Sequence, residues 1–439
     1  NTLNFGNEVL NQEVPANFQV YGKVVAPVVA HGTNGGFGTS FDNDGSAEIE
    51  MVLGGIEIAT SLYGGGTFKT NETITLNFSF ESAKVSKSTV AVAGDVKLGG
   101  ANVEGVNSAA VLNIGADKMS VSGIMEMNRN GWGYSNVTFT KSCVLELGGL
   151  TATNAANGDF TISNKYSADF ASEIVFRNAA GKDYQYIGTI VDDGNSRPDM
   201  SAIRSTVNVT MDGEGTQRIF QAVQSKTDIQ GRMGGVYTAK NGRLFMDNSR
   251  IAKDYRLATL SLEGGKFGAG HYDSAQAGTA YFKTANFRSG GLAYENFVQH
   301  NSMETQVSDK IIISESFTKA EGSGKIAVDF ADRSGNALDL QNYATADDAG
   351  SVEIWTEILT AGDIAGFDLE TKIGENAYDA SGDFYAVGVE NGVAVFRWVE
   401  SLGSGYSLQV GFAQVPEPES LAAALGALAL IFAARRKIG

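Results

Sequence analysis

The chain has few prolines and a single cysteine. Only five of its 439 residues are proline, and two of these, Pro416 and Pro418, lie in the last 25 residues. Because proline cannot donate to a strand ladder, a body this poor in proline is typical of extended sheet. One cysteine excludes an internal disulfide. Cys143 lies in a strand-like run, 142–147, and is predicted to be a buried, unreactive thiol.

Positive charge and histidine are also scarce. The sequence has 33 basic and 50 acidic residues, a formal net charge of −17 and three histidines. Such a surface repels phosphate backbones, which argues against nucleic acid as a partner. It is typical of a protein that stays soluble after export. His31, His271 and His300 show no metal-ligand spacing, so no metal and no cofactor are predicted.

Glycine and short alternating runs are abundant instead. In residues 73–80, Ile74, Leu76 and Phe78 fall on one face of a strand, and the pattern recurs at 207–211, 325–330 and 393–398. Asn391-Gly392 is typical of a hairpin turn and predicts pairing of 384–389 with 393–398. No sustained helical stripe precedes residue 415; the nearest, 217–224, is brief. The body is therefore predicted to be all-β.

Many strand-like runs end in glycine pairs, at irregular intervals. The pairs are Gly54-Gly55, Gly99-Gly100, Gly148-Gly149 and Gly264-Gly265. Uneven intervals exclude a strict repeat, but a solenoid tolerates uneven connections between similar strands. Asparagines at 102, 107, 113 and 154 suit solenoid corners. Several β-sandwiches in series would produce the same appearance, so the glycine pairs leave both folds open.

Residues 306–400 alternate strands with Gly, Asn and Asp turns. The strand-like runs are 309–313, 324–328, 352–355, 367–369, 382–385 and 396–398. This order resembles the C-terminal part of pertactin-like autotransporter passengers. Those passengers are right-handed parallel β-helices, so the resemblance implies such a fold, closed by a β cap that contains a hairpin, and β-sandwiches in series remain the alternative. Accordingly, residues 1–305 are expected to be the β-helix-like body, 306–400 the passenger-like region and 401–414 a linker.

The last 25 residues have three parts. Val415, Pro416, Glu417 and Pro418 come first, residues 421–434 then carry no charge, and Arg435, Arg436 and Lys437 follow. As a helix, 14 apolar residues span about 21 Å, enough for a thinned bilayer. The basic end is expected on the cytoplasmic side, which places the body outside. The start at Asn1 predicts that an export signal has been removed.

This tail resembles the PEP-CTERM sorting signal of Gram-negative bacteria that make exopolysaccharide. The resemblance covers residues 415–439. It implies that an exosortase-like enzyme acts at Val415–Pro416–Glu417–Pro418 and that Arg435, Arg436 and Lys437 end a membrane anchor. It also implies a location in the cell envelope, on the cell surface or in the extracellular matrix.

Three groups of residues are candidate sites. Asp42-Asn43-Asp44-Gly45, with Glu48 and Glu50, lacks the calcium-loop spacing and is predicted to be a turn. Asp192 and Asp193, with Arg197, Pro198 and Asp199, form the densest polar cluster of the body. Adjacent residues on a strand point to opposite faces, so the two aspartates would be a poor catalytic pair. A solvated loop is therefore predicted. Trp132 and Tyr134 lie in a glycine-flanked loop and are expected to pack on the body rather than on sugar rings.

No residue set points to catalysis, so no catalytic residue is predicted. A structural or adhesin-like surface protein is expected, with exopolysaccharide or host glycans as candidate partners. Two alternatives stay open: a polysaccharide lyase or hydrolase on a β-helix, and a glycan-binding module.

Overall fold

The computed structural model describes the backbone of residues 3–5, 16–19, 23–31, 35–38, 47–59, 72–79, 85–99, 108–128, 134–152, 159–165, 168–193, 204–221, 231–273, 276–295, 308–331, 336–339, 355–401, 403 and 405–414, with most side chains from Glu50 to Phe412. In these residues it is nearly all-β. The first sixteen strands are β1 Leu3–Phe5, β2 Ala16–Gln19, β3 Lys23–His31, β4 Gly35–Gly38, β5 Ala47–Ala59, β6 Glu72–Ser79, β7 Val85–Val92, β8 Val96–Leu98, β9 Ser108–Gly115, β10 Lys118–Met127, β11 Tyr134–Phe139, β12 Val144–Ala152, β13 Asp159–Asn164, β14 Ala171–Phe176, β15 Asp183–Ile187 and β16 Thr189–Asp193.

The remaining strands continue to the end of the described chain. They are β17 Thr206–Met211, β18 Thr216–Phe220, β19 Val236–Ala239, β20 Arg243–Asp247, β21 Thr259–Ala269, β22 Thr279–Phe282, β23 Thr284–Tyr294, β24 Lys310–Lys319, β25 Ile326–Phe330, β26 Leu338–Asp339, β27 Trp355–Ala365, β28 Ala377–Asp379, β29 Phe384–Val387, β30 Val389–Glu390, β31 Gly392–Ser401 and β32 Gly405–Gln414. One 3₁₀ turn, Lys253–Tyr255, precedes β21.

The strands stack in parallel, one coil of chain upon the next. Among the described strands of the large sheet, thirteen levels follow one another: β1, β3, β5, β7, β10, β12, β14, β17, β19, β21, β23, β24 and β27. At the usual separation of neighbouring strands, the stack is about 58 Å long. The described part is therefore nearly all-β, with a long and mostly parallel sheet that is consistent with a β-helix-like solenoid.

Three faces run along the stack, and they position the candidate site. Face 1 contains β14, β17, β19, the first parts of β21 and β23, and the second part of β24. Face 2 contains β15, β18, β20, the second parts of β21 and β23, then β25 and β29. Face 3 is the separate sheet of β2, β4, β6, β9, β11, β13 and β16. A glycine-rich corner joins face 1 to face 2.

Alternation of apolar and polar residues creates the core. In β17, Val207, Val209 and Met211 are buried, while the residues between them are partly exposed. In β6, Leu76 and Phe78 are buried, as the pattern at 73–80 predicted. Because successive strand residues point to opposite sides, each coil places one apolar row inside the solenoid.

The chain turns antiparallel at its C-terminal end. β32 pairs with β27 and with β31, and β28 pairs with β31. Trp398 of β31 is fully buried and packs edge-on against Phe384 of the last coil and against Phe367. These strands add aromatic side chains to the end of the core.

Three details differ from the sequence predictions. Residues 401–414, predicted to be a linker, contain β32, because alternating Leu408, Val410 and Phe412 supply a buried face. Asn391 does turn the chain, with a positive φ of 58°, but the hairpin joins β31 to β32. The two strands before the turn, β29 and β30, instead pair in parallel with β25 and β26. Residues 367–369 form no strand.

Candidate functional site

A shallow trough runs along the corner between faces 1 and 2. One corner position is occupied in three successive coils by Gly215, Gly242 and Gly265. Each glycine directly precedes the first paired residue of its face 2 strand. In the coil before them, the same position is occupied by Lys182. The depression has a volume of about 410 Å³. Three strand separations give it a length of about 14 Å.

Glycine is required at this corner because the coils approach closely. A Cβ at Gly215 would lie 2.4 Å from the Ala179 carbonyl oxygen. At Gly242, φ is +56° and a Cβ would lie 2.3 Å from the Gly215 oxygen. Because these glycines have no side chains, peptide groups form the floor of the trough.

Polar side chains form its walls. One wall carries Glu214 and Asn241, and the other carries Thr216, Arg243 and Lys266. Carboxylate, amide, hydroxyl, guanidinium and ammonium groups therefore face one channel, and together they can donate to and accept from sugar hydroxyls. A channel along the solenoid axis suits an extended chain better than a compact ligand.

A buried arginine supports the first end of the trough. Arg218 of β18 donates from Nε to Asp183 Oδ1 at 2.8 Å and from Nη1 to Glu295 Oε2 at 2.6 Å. Its guanidinium lies 4.6 Å from the centre of the Phe245 ring. Burial opposes the positive charge, but the bonds and charges of Glu295 and Asp183 outweigh it and raise the pKa of Arg218. Asp183, which lines the trough, is thereby held in place.

The other end is held by Asp329. Arg243 Nη2 and Lys266 Nζ lie 2.8 and 2.6 Å from Asp329 Oδ2. Phe245, Gly268, Ala293 and Asp329 occupy one outward column in four successive coils. Because Gly268 and Ala293 are small, the two long cations can lie along the stack and reach β25. Their side chains stay 33% and 30% exposed, so both can still contact a ligand.

Asp192 and Asp193 are not in a solvated loop, and that prediction is wrong. Both end β16 and are buried, at 1% and 2% exposure. A bulge in the pairing with β13 makes Asp192 an extra residue, which breaks the simple alternation of faces. Arg197, Pro198 and Asp199, the rest of that cluster, lie outside the described residues.

The Asp192 carboxylate joins neighbouring coils. Its Oδ1 accepts from the Val207 amide at 3.0 Å, and its Oδ2 accepts from the Gly234 amide at 2.8 Å. Arg232 Nε is 3.4 Å from Oδ2. Burial raises the pKa of Asp192 to about 6, although these amides and Arg232 counteract it. With both oxygens bound to backbone, the carboxylate acts as a brace between coils.

The other predicted residues lie apart from the trough. Cys143 is 2% exposed, and burial raises the pKa of its thiol to about 12, in agreement with an unreactive thiol. His271 accepts from the Asp273 amide and stacks near Tyr272. Tyr134 is 37% exposed. Trp132, His300, the side chain of His31 and Asp42-Asn43-Asp44-Gly45 are outside the described part, as are Val415, Pro416, Glu417, Pro418, Arg435, Arg436 and Lys437.

Two other kinds of site are absent from the described residues. Within them, no group of three or more His, Cys, Asp or Glu side chains is arranged to hold a metal ion. Nor do they contain a helical segment with the length and hydropathy of a membrane span.

Sequence reasoning missed the trough. The signal was present as Gly215, Gly242, Gly265 and Gly290, but their spacings are 27, 23 and 25 residues. Without the strand register, these glycines could not be aligned, and the charges beside them looked like ordinary solvated residues.

No family model, no curated protein and no solved structure matches this chain.

Proposed function

We propose that this chain is an exported protein of the cell envelope or its surrounding matrix, which binds polysaccharide along the trough without cleaving it. The observation that carries the proposal is the glycine floor with polar walls, which continues over successive coils. A linear glycan presents hydroxyl groups at regular intervals, and the trough presents peptide and side-chain partners at each coil. This is a structural and adhesin-like role, with exopolysaccharide or host glycans as ligands.

The finer description of the fold belongs to the same proposal. We infer a right-handed parallel β-helix, because connections between parallel strands of one sheet are right-handed in nearly all proteins. Its C-terminal antiparallel strands are then a cap on the last coil, and they would protect its open edge.

Binding without cleavage is favoured because two of the three carboxylates at the trough are held in ion pairs, which leaves Glu214 where a glycosidase needs two available carboxyl groups. Asp183 is paired with Arg218, and Asp329 is paired with both Arg243 and Lys266. A general acid or base must be free to exchange a proton with the substrate. A lyase or hydrolase is therefore the second candidate, and the non-catalytic role is preferred.

Sorting to the envelope is supported by the sequence of residues 415–439. β32 ends at Gln414, directly before Val415. We propose that an exosortase-like enzyme acts at Val415, Pro416, Glu417 and Pro418. Mass analysis of the exported protein should show a new C-terminus near this motif, and replacing Pro416 and Glu417 with alanine should abolish it. An unchanged C-terminus in both chains would refute processing.

Filling the trough tests polysaccharide binding. In Thr216→Tyr, a ring on the wall should occupy the channel, whereas Thr161→Tyr places the same ring on face 3. Retention of the full chain on immobilised polysaccharides should be lost only with Thr216→Tyr. Equal retention of both variants, or no retention of the unmodified chain on any polymer, would rule out the trough as a glycan site.

A further inference from the structure

Face 1 carries a neutral array beside the trough. Two columns of outward positions run over β17, β19, β21, β23 and β24, bordered by the exposed charged residues Glu263 and Arg288 of β21 and β23. We call these ten residues the hydroxyl face: Asn208, Thr210, Val236, Thr238, Thr259, Ser261, Thr284, Asn286, Ser316 and Thr318. Nine of the ten are hydroxyl or amide residues, and none is charged or aromatic.

The array is confined to five coils. In the coil before it, Glu173 lies opposite Asn208, and in the coil after it, Asp363 lies opposite Ser316. The same face therefore accepts charged residues elsewhere, so strand propensity alone does not explain their exclusion from all ten positions.

The side chains of the array are ordered. Threonine is restricted at χ1 because it is branched at Cβ. The hydroxyls of Thr259 and Thr284, on adjacent coils, lie 2.9 Å apart and share a hydrogen bond. Below them Leu260 and Ala285 are buried in the core, which fixes the strands that carry the array. The columns repeat at about 4.8 Å along the stack, and the rows at about 6.7 Å along each strand.

We propose that the hydroxyl face binds ice. Ice presents a repeating plane of oxygens that donate and accept, and each threonine or serine hydroxyl can also do both. Binding a solid plane of water favours groups that are regularly spaced, rigid and uncharged, because a charged side chain would have to give up its own hydration shell.

Other ligands fit the face less well. An anionic polymer would require cations, and the ten positions have none. The trough on the neighbouring corner, with its charged walls, is the better glycan site, so the two surfaces are assigned different ligands.

Partition into slowly growing ice tests the proposal on the full chain. The double variant Thr238→Lys and Thr284→Lys places two charges in the array. The matched control, Thr138→Lys and Thr161→Lys, places the same charges on face 3. Circular dichroism establishes that all three proteins share one fold. The unmodified chain and the control should be enriched in the ice, and the face 1 variant should stay in the liquid.

Two results would overturn the inference. One is that the unmodified chain is not enriched in the ice, or that the face 1 variant is enriched there as strongly as the unmodified chain. The other is retention on microcrystalline cellulose that only the face 1 variant loses, without enrichment in ice, which would assign the face to a neutral glycan. Neither result affects the trough, whose test uses Thr216→Tyr.

Discussion

The two outward surfaces of the same coils differ in what their side chains do. On face 2, Arg218, Arg243 and Lys266 bind carboxylates three or two coils away, across small residues such as Gly268. On face 1, the array residues contact at most the adjacent coil, as Thr259 does with Thr284. The comparison teaches that stability and availability for a ligand are divided between neighbouring faces: the charged residues of face 2 tie coils together, and the uncharged hydroxyl face on face 1 remains open.

Removing the buried arginine should have the largest effect. Arg218→Ala leaves Glu295, whose side chain is 7% exposed, without its guanidinium partner. Breaking a buried pair in this way lowers the free energy of unfolding by about 3–5 kcal/mol. Arg177→Ala, whose side chain is 47% exposed, should cost about 1 kcal/mol or less. Urea unfolding measures both, and similar losses would break the distinction between buried and exposed pairs.

A pH titration tests the contribution of Asp192, whose carboxylate joins neighbouring coils at the corner before face 1. Burial raises the pKa of Asp192 from 3.8 to about 6, so between these values the folded chain holds a proton that the unfolded chain has lost. Stability from this group is therefore greatest at low pH and falls as pH rises, by about 3 kcal/mol in total. The difference in unfolding free energy between the unmodified chain and Asp192→Asn should shift by most of that amount, about 2 kcal/mol, from pH 4 to pH 7.

Asp212 provides a control of opposite sign. Burial opposes ionisation of Asp212, but the charge and hydrogen bond of Arg177 outweigh it and lower the pKa of this carboxyl. Its stabilisation is present above pH 3.8 and is lost as pH falls through the lower folded pKa. Asp212→Asn should therefore leave the pH 4 to pH 7 profile nearly unchanged. A flat difference for Asp192→Asn as well would contradict a raised pKa at Asp192.

Enlarging a small residue on face 2 should have an intermediate effect. In Gly268→Val, the new Cβ would meet the Ala293 carbonyl oxygen at 2.4 Å and the Phe245 ring at 2.5 Å. Overpacking of this kind costs about 1–3 kcal/mol. Gly324→Ala, where a Cβ meets nothing within 4 Å, is the matched control and should change the melting temperature little. Equal melting temperatures for the two variants would show that a small residue is not needed at position 268, between Phe245 and Ala293.

Truncating the hydroxyl face should have the smallest effect. Thr238→Ala and Thr284→Ala remove partly exposed hydroxyls, and surface changes of this kind stay within about 0.5 kcal/mol. Chemical unfolding checks this expectation for each variant. A loss as large as that of Arg218→Ala would mean that face 1 also holds the coils together, and the comparison of faces would fail.

The sequence predicted the strands well and the contacts between coils poorly. Alternation at 207–211 was enough to assign buried Val207, Val209 and Met211, because period 2 is a local property. Arg218 and Glu295 are 77 residues apart, and their contact depends on the register of intervening coils. Asp192 was misplaced because a bulge, which alternation does not reveal, puts it inside the protein. Predicting the trough would have required the same register between coils.

The most direct test of the central claim is to incubate the full chain with each polysaccharide that retains it, with and without calcium, and to measure new chain ends. Both reducing ends and the unsaturated ends left by a lyase should be assayed. Binding without cleavage predicts retention that Thr216→Tyr abolishes, and no new ends of either kind. New ends that accumulate with time, at a rate proportional to protein, would show that the chain is an enzyme and contradict the account.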